Sequence, residues 1–206
     1  MMDGIYYVIH NNKMRIIFVL FLLLSLFLIN FGLLNPVLAK MDLKSDASGL
    51  SLLMTSMGVG ALIAALTIIL LRWKNPTIKQ IFWVAMFFSF SQILLSFFGK
   101  LIYSAIIMSV IAFFMILFST LVNTSLQLES DDQHRGRVMS VYTFVFVGVA
   151  PIGSIYAGTL ANMLGARGTY LISGIIGVIG TGIIMWLFFR VNKKNALTQT
   201  NQGESI

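Results

Sequence analysis

The sequence predicts an all-α polytopic membrane protein, and three observations carry that reading. Nearly the whole length between Met14 and Arg190 lies in long apolar stretches free of Asp, Glu, Lys and Arg. The chain is 58% hydrophobic and only 10% charged, with a mean hydropathy of +0.91, which leaves too little polar surface to disperse 206 residues in water. The basic residues fall singly or in pairs at the ends of the apolar runs, where lysine and arginine meet anionic headgroups.

A hydrocarbon core about 30 Å thick is crossed by roughly 20 helical residues, and six such spans can be read in order. The first, 16–34, follows Lys13 and Arg15. With Val37-Leu38-Ala39 behind it, this segment looks like a signal peptide, but the run is longer than a signal's apolar region and five more spans follow. The second, 50–71, opens after Ser48 and ends at Arg72 and Lys74. The third and fourth, 81–98 and 101–122, form one apolar tract about twice the length of a span, interrupted only by Gly99-Lys100. That pair reads as a tight hairpin, since glycine ends helices and a lysine can snorkel to the surface. The fifth, 138–160, follows the charged run 129–137, and the sixth, 169–189, lies between Arg167 and Arg190.

Six spans put both termini on one side. That side then holds Lys13, Arg15, Arg72, Lys74, Lys79, Arg135, Arg137, Arg190, Lys193 and Lys194, against Lys40, Lys44, Lys100 and Arg167 on the other. The asymmetry predicts cytoplasmic termini in a plasma membrane. The polar tail, 191–206, is expected to be disordered.

Other classes are disfavoured by what the residues lack. Without cysteine there are no disulfides or thiolate metal sites. The net charge of +7 does not point to nucleic acid, because its carriers are juxtamembrane. No metal-ligand spacing, P-loop or nucleophile elbow occurs, so neither an enzyme nor a cofactor or metal is expected. All seven acidic residues, Asp3, Asp42, Asp46, Glu129, Asp131, Asp132 and Glu204, fall outside the spans, leaving no membrane-buried carboxylate for a proton relay.

A faint internal repeat relates Gly58-Val59-Gly60-Ala61 in the second span to Gly148-Val149-Ala150-Pro151 in the fifth, as two three-helix units would. Beyond this, Asn35-Pro36-Val37-Leu38-Ala39-Lys40, Ala47-Ser48-Gly49-Leu50-Ser51-Leu52-Leu53 and Gly58-Val59-Gly60-Ala61-Leu62 resemble spans seven and eight of major facilitator superfamily exporters. Arg135-Gly136-Arg137-Val138-Met139-Ser140-Val141-Tyr142, followed by Gly148, Pro151, Gly153 and Gly158, is similar to the loop between spans ten and eleven in the branch of enterobactin exporters and macrolide efflux proteins.

The resemblance implies the C-terminal six-helix half of a twelve-helix fold. Residues 1–13 would be the cytoplasmic end of a central linker, 14–190 the transmembrane bundle and 191–206 the cytoplasmic tail. It also implies efflux of a small amphipathic molecule, drug-like or siderophore-like, by alternating access between two halves. The implied partners are a second six-helix half or a second copy of the chain, besides membrane lipid and the substrate; the alternative is a non-transporting subunit or inactive remnant. Met1-Met2 directly before linker-like sequence points to truncation or a misplaced start.

The candidate residues follow from these expectations. In the family the first and fourth helices of each half line the cavity, which singles out Asn30 and Asn123 for the substrate pathway. Asn35 and Gln92 are the other costly polar side chains in the spans, and Gln92 is expected to bond between helices. Glu129, Asp131, Asp132, Arg135 and Arg137 read either as a cytoplasmic gate of ion pairs or as helix-start and positive-inside charges. Gly58, Gly60, Gly148, Pro151, Gly153 and Gly158 are expected to pack or hinge spans two and five.

Overall fold

In hydrocarbon a chain must close its own backbone hydrogen bonds, and an apolar run does so as a helix. The computed structural model describes residues 2–71 and 75–203, with side chains over 6–71 and 75–190. These residues form α1 (Met2–His10), α2 (Asn12–Phe27), α3 (Phe31–Val37), a π-helical turn (Leu38–Asp42), α4 (Ala47–Leu71), α5 (Ile78–Phe97), α6 (Leu101–Glu129), α7 (Asp132–Gly148) and α8 (Ala150–Gly203). Arg72 and Lys74, counted for topology, and Glu204 lie outside the described residues.

Polar side chains mark where helices begin. Asn11 accepts from the N–H groups of Lys13 (3.0 Å) and Met14 (3.2 Å) to cap α2, and Thr77 with Gln80 forms a capping box on α5. Asp46 accepts from the hydroxyl and N–H of Ser48 at the start of α4, and these bonds, the hydroxyl first, lower its carboxyl pKa below the ordinary value.

Among the described residues five stretches are long and apolar enough to cross a membrane: Asn12–Asp42, Ala47–Leu71, Ile78–Phe97, Leu101–Glu129 and Asp132–Arg190. The last is 59 residues long and would reach about 90 Å if straight. It turns back at Gly165, whose φ of 73° and ψ of 174° break the helix. The Tyr156 and Ser173 hydroxyls, seventeen residues apart in sequence, lie 3.2 Å apart, where a straight helix would separate them by about 25 Å. The fifth and sixth expected spans are therefore the two arms of a hairpin. The first span extends beyond Leu34 to Asp42 and the fourth beyond Val122 to Glu129, because helix continues through their polar ends. Helical backbone likewise runs through 191–203, where composition suggested a disordered tail.

The loops gather at two ends. At one, the Asp42 carboxylate accepts from the Ala166 N–H (2.9 Å), capping the second arm of the hairpin. There too Arg167 donates through Nε (3.0 Å) and Nη2 (2.7 Å) to the Ser96 carbonyl, beside the expected Gly99-Lys100 turn. At the opposite end Lys13 pairs with Glu129 and Arg135 with Asp132.

Between them the core centres on α2, where Phe21 stacks on Tyr142 (4.6 Å) and lies 6.2 Å from Phe118. Spans one, three and four bury 50% of their most apolar windows, whereas Ala47–Leu71 buries 17% and the hairpin Asp132–Arg190 22%, so the uncovered faces lie on span two and on the hairpin of spans five and six.

Span two is held to span four at Gly60, where an added Cβ would fall 1.9 Å from the Ser109 carbonyl oxygen. Gly58, two residues earlier and so on the opposite face of the helix, faces open space with nothing within 4 Å. Gly60→Leu is therefore expected to destabilise the protein by about 1–3 kcal/mol or more, and Gly58→Leu to stay within about 0.5 kcal/mol of wild type, both read from unfolding of the detergent-solubilised chain.

Candidate functional site

The first span is not one helix. α2 ends at Phe27, Leu28 closes the ladder with its N–H on Leu24 O (2.9 Å), and α3 restarts after Asn30, whose carbonyl accepts from the Leu34 N–H at 3.0 Å. The break falls near the middle of the 31-residue first span, with α2 on one side and α3 plus the π-helical turn on the other. In an unbroken helix Leu26 O would accept from the Asn30 N–H and Leu28 O from the Gly32 N–H. Here the Asn30 side-chain amide donates to Leu26 O (3.0 Å), and Gln92 Nε2 reaches from α5 to donate to Leu28 O (2.9 Å).

Both amides are buried, Asn30 to 4% exposure and Gln92 to 0%. Span five closes over the break at Gly153, where a Cβ would fall 2.7 Å from both Asn30 Oδ1 and Leu26 O. The Gln92 Oε1 and the hydroxyl of Ser25, one turn before Leu28, are buried with no hydrogen-bond partner among the described residues. The break thus keeps hydrogen-bonding capacity beyond what its own backbone uses.

One layer further, Tyr170 on the second arm of α8 donates to Asn35 Oδ1 at 2.8 Å, and Asn35 Nδ2 faces Met57 Sδ at 3.1 Å. Spans one, two and six meet there. Asn123, half-buried on α6, accepts from the Gln127 amide one turn on, and no hydrogen bond joins it to Asn30 among the described residues.

The charged run is bound to the N-terminal segment. Lys13, at the start of span one, pairs with Glu129, at the end of span four. The Tyr7 hydroxyl donates to Asp131 Oδ2 (3.0 Å) and its ring stacks on His134 at 4.5 Å. Arg135 pairs at 3.0 Å with Asp132, one turn away on its own helix, and Arg137 is exposed on α7. Of the candidate charges, then, Glu129 and Asp131 join separate elements, while Asp132 and Arg135 do not. Tyr7 was missed from sequence, since a single tyrosine in a linker-like segment carries no pattern.

The small-residue candidates separate in the same way. Gly60 and Gly153 permit close backbone approach, Gly158 makes ordinary contact with Leu33 at 3.6 Å, and Gly148 meets only Phe144 of its own helix at 3.5 Å. Span five is interrupted at Val149, with Pro151 in the first turn of α8, where its missing N–H costs least.

A break held in mid-membrane by polar side chains is how half-helices present backbone groups in transporters. The family described as transmembrane secretion effector, within the major facilitator superfamily, matches residues 1–204. The chain belongs to this family. It is accordingly an all-α, multi-pass membrane protein of a transporter family. No curated protein and no solved structure matches it.

Removing the Gln92 donor tests the break directly. Gln92→Leu leaves Leu28 O without its donor from α5 and is expected to cost about 1 kcal/mol, whereas Ser96→Ala, removing only a bond to its own helix at Ile93, should cost less than half as much. Reversible unfolding in mixed micelles measures both.

Proposed function

We propose that the chain is one six-helix half of an exporter that moves a small amphipathic molecule by alternating access, completed by a second six-helix half or a second copy of itself. The observation that carries this reading is the break at Leu28–Asn30, where Asn30 and Gln92 stabilise irregular backbone at mid-membrane depth. The uncovered faces of span two and of the hairpin Asp132–Arg190, including the open space at Gly58, suit partner helices. Asn123, on the adjoining fourth span, would line the same pathway when the halves part.

The cytoplasmic gate in this scheme is the Lys13–Glu129 pair with Tyr7 on Asp131, since these contacts tie spans one and four and the N-terminal helix together. Arg135, Asp132 and Arg137 support it through the charge of the loop. No carboxylate lies in the interior of a span, since Asp42, Glu129 and Asp132 stand at span ends, so a proton-coupled cycle would draw its titrating group from the second half. A non-transporting subunit or inactive remnant is the second reading, favoured by the close packing of Asn30 against Gly153.

Vesicles loaded with a panel of amphipathic dyes distinguish the two. Monomeric chain alone should export nothing, and export should appear with a stable homodimer or an added N-terminal half. In that active form Asn30→Leu should lower the rate at least about tenfold, and Lys13→Ala severalfold, with insertion unchanged; absence of export in every form supports the remnant.

The lysine and arginine asymmetry supports cytoplasmic termini for this half. On intact cells an impermeant thiol reagent should label Lys100→Cys and spare Arg135→Cys in this cysteine-free chain; the reverse pattern inverts the orientation.

A further inference from the structure

A groove of 260 Å³ runs between the start of α2 and the last membrane-embedded turns of α8. Its floor is apolar, with Ile16 and Val19 on α2 facing Ile184 and Leu187 on α8, and Asn12 and Arg15 stand at its mouth. α2 enters the membrane here while α8 leaves it, so Arg15 and Arg190 share one level and Val19 and Ile184 lie about one turn or more deeper. The groove is polar and cationic at the surface and hydrocarbon-like below.

Among the described residues the cations at this mouth have no acidic counterpart. Arg15 is exposed, and its Nη2 donates to the neutral Asn12 side chain at 2.9 Å, which orients the guanidinium without neutralising it. Arg190 lies over the Trp186 ring at 4.9 Å and Lys79 over Phe189 at 5.9 Å. The carboxylates described at this end, Glu129, Asp131 and Asp132, are engaged by Lys13, Tyr7 and Arg135. Among the described residues no carboxylate is left to pair with Arg15, Lys79 or Arg190.

We propose that this groove binds one anionic phospholipid, its phosphate on Arg15 and an acyl chain along Ile16, Val19, Ile184 and Leu187. An apolar groove at the perimeter of a membrane protein is filled by acyl chain, and an oriented guanidinium selects the headgroup by bidentate, charge-assisted hydrogen bonds. The site is separate from the break in span one and does not depend on transport.

The full chain, purified in a non-ionic detergent, is mixed with phosphatidylglycerol and phosphatidylcholine of identical acyl chains at equal mole fraction, and retained lipid is counted by native mass spectrometry. Wild type should keep phosphatidylglycerol over phosphatidylcholine by at least about threefold. Arg15→Gln should bring the ratio close to one, and Arg15→Lys, a point charge without the fork, should restore part of it. Val19→Phe, which fills the groove, should reduce retention of both lipids. Lys100→Gln removes the same charge at the opposite end and should leave the ratio unchanged. A wild-type ratio of one, or a loss with Lys100→Gln equal to that with Arg15→Gln, would overturn the proposal.

Discussion

The absence of water from the bilayer core is the constraint on which this structure turns. A break in a spanning helix exposes carbonyls that hydrocarbon cannot satisfy, at a cost of several kcal/mol each. Span one nevertheless breaks, and it persists because two amides supply the missing donors, one from the break itself and one from span three. The placement of span three beside span one, the small residue at Gly153 and the close approach of span five all follow from keeping that segment dry and bonded.

The two ends of the bundle are tied with unequal strength. At the end holding Asp42 and Arg167, charged side chains bond to backbone groups of another span, contacts worth about 1.5–3 kcal/mol each. At the other end Lys13 and Glu129 are 39% and 29% exposed and join by an ion pair of the kind worth about 0.2–1 kcal/mol, further weakened by salt. A rocking motion would part the weaker end first, which is where the charged run between spans four and five sits.

The spans were legible in the sequence because apolar length is a one-dimensional property, and the Gly99-Lys100 turn and the Arg167 joint were legible as its interruptions. Asn30, Asn35 and Gln92 stood out as polar residues in hydrocarbon, and the inter-helix role expected of Gln92 is seen. Their partners were not legible. The break at Leu28–Asn30 contains neither glycine nor proline, since Gly32 and Pro36 lie beyond it, so nothing local announces it. The Asp42 cap on Ala166 and the Tyr7 contact with Asp131 each join positions 124 residues apart, a pairing that only the tertiary structure defines.

The bond between Gln92 and Leu28 also sets an order of birth. Leu28 leaves the ribosome 64 residues ahead of its donor, an interval of about 3–13 s at roughly 5–20 residues per second. For that time the first span can be a continuous helix, which satisfies its carbonyls alone. The break becomes tolerable only once the third span arrives beside it, so the nascent chain would mature by unwinding a finished helix rather than by inserting a broken one.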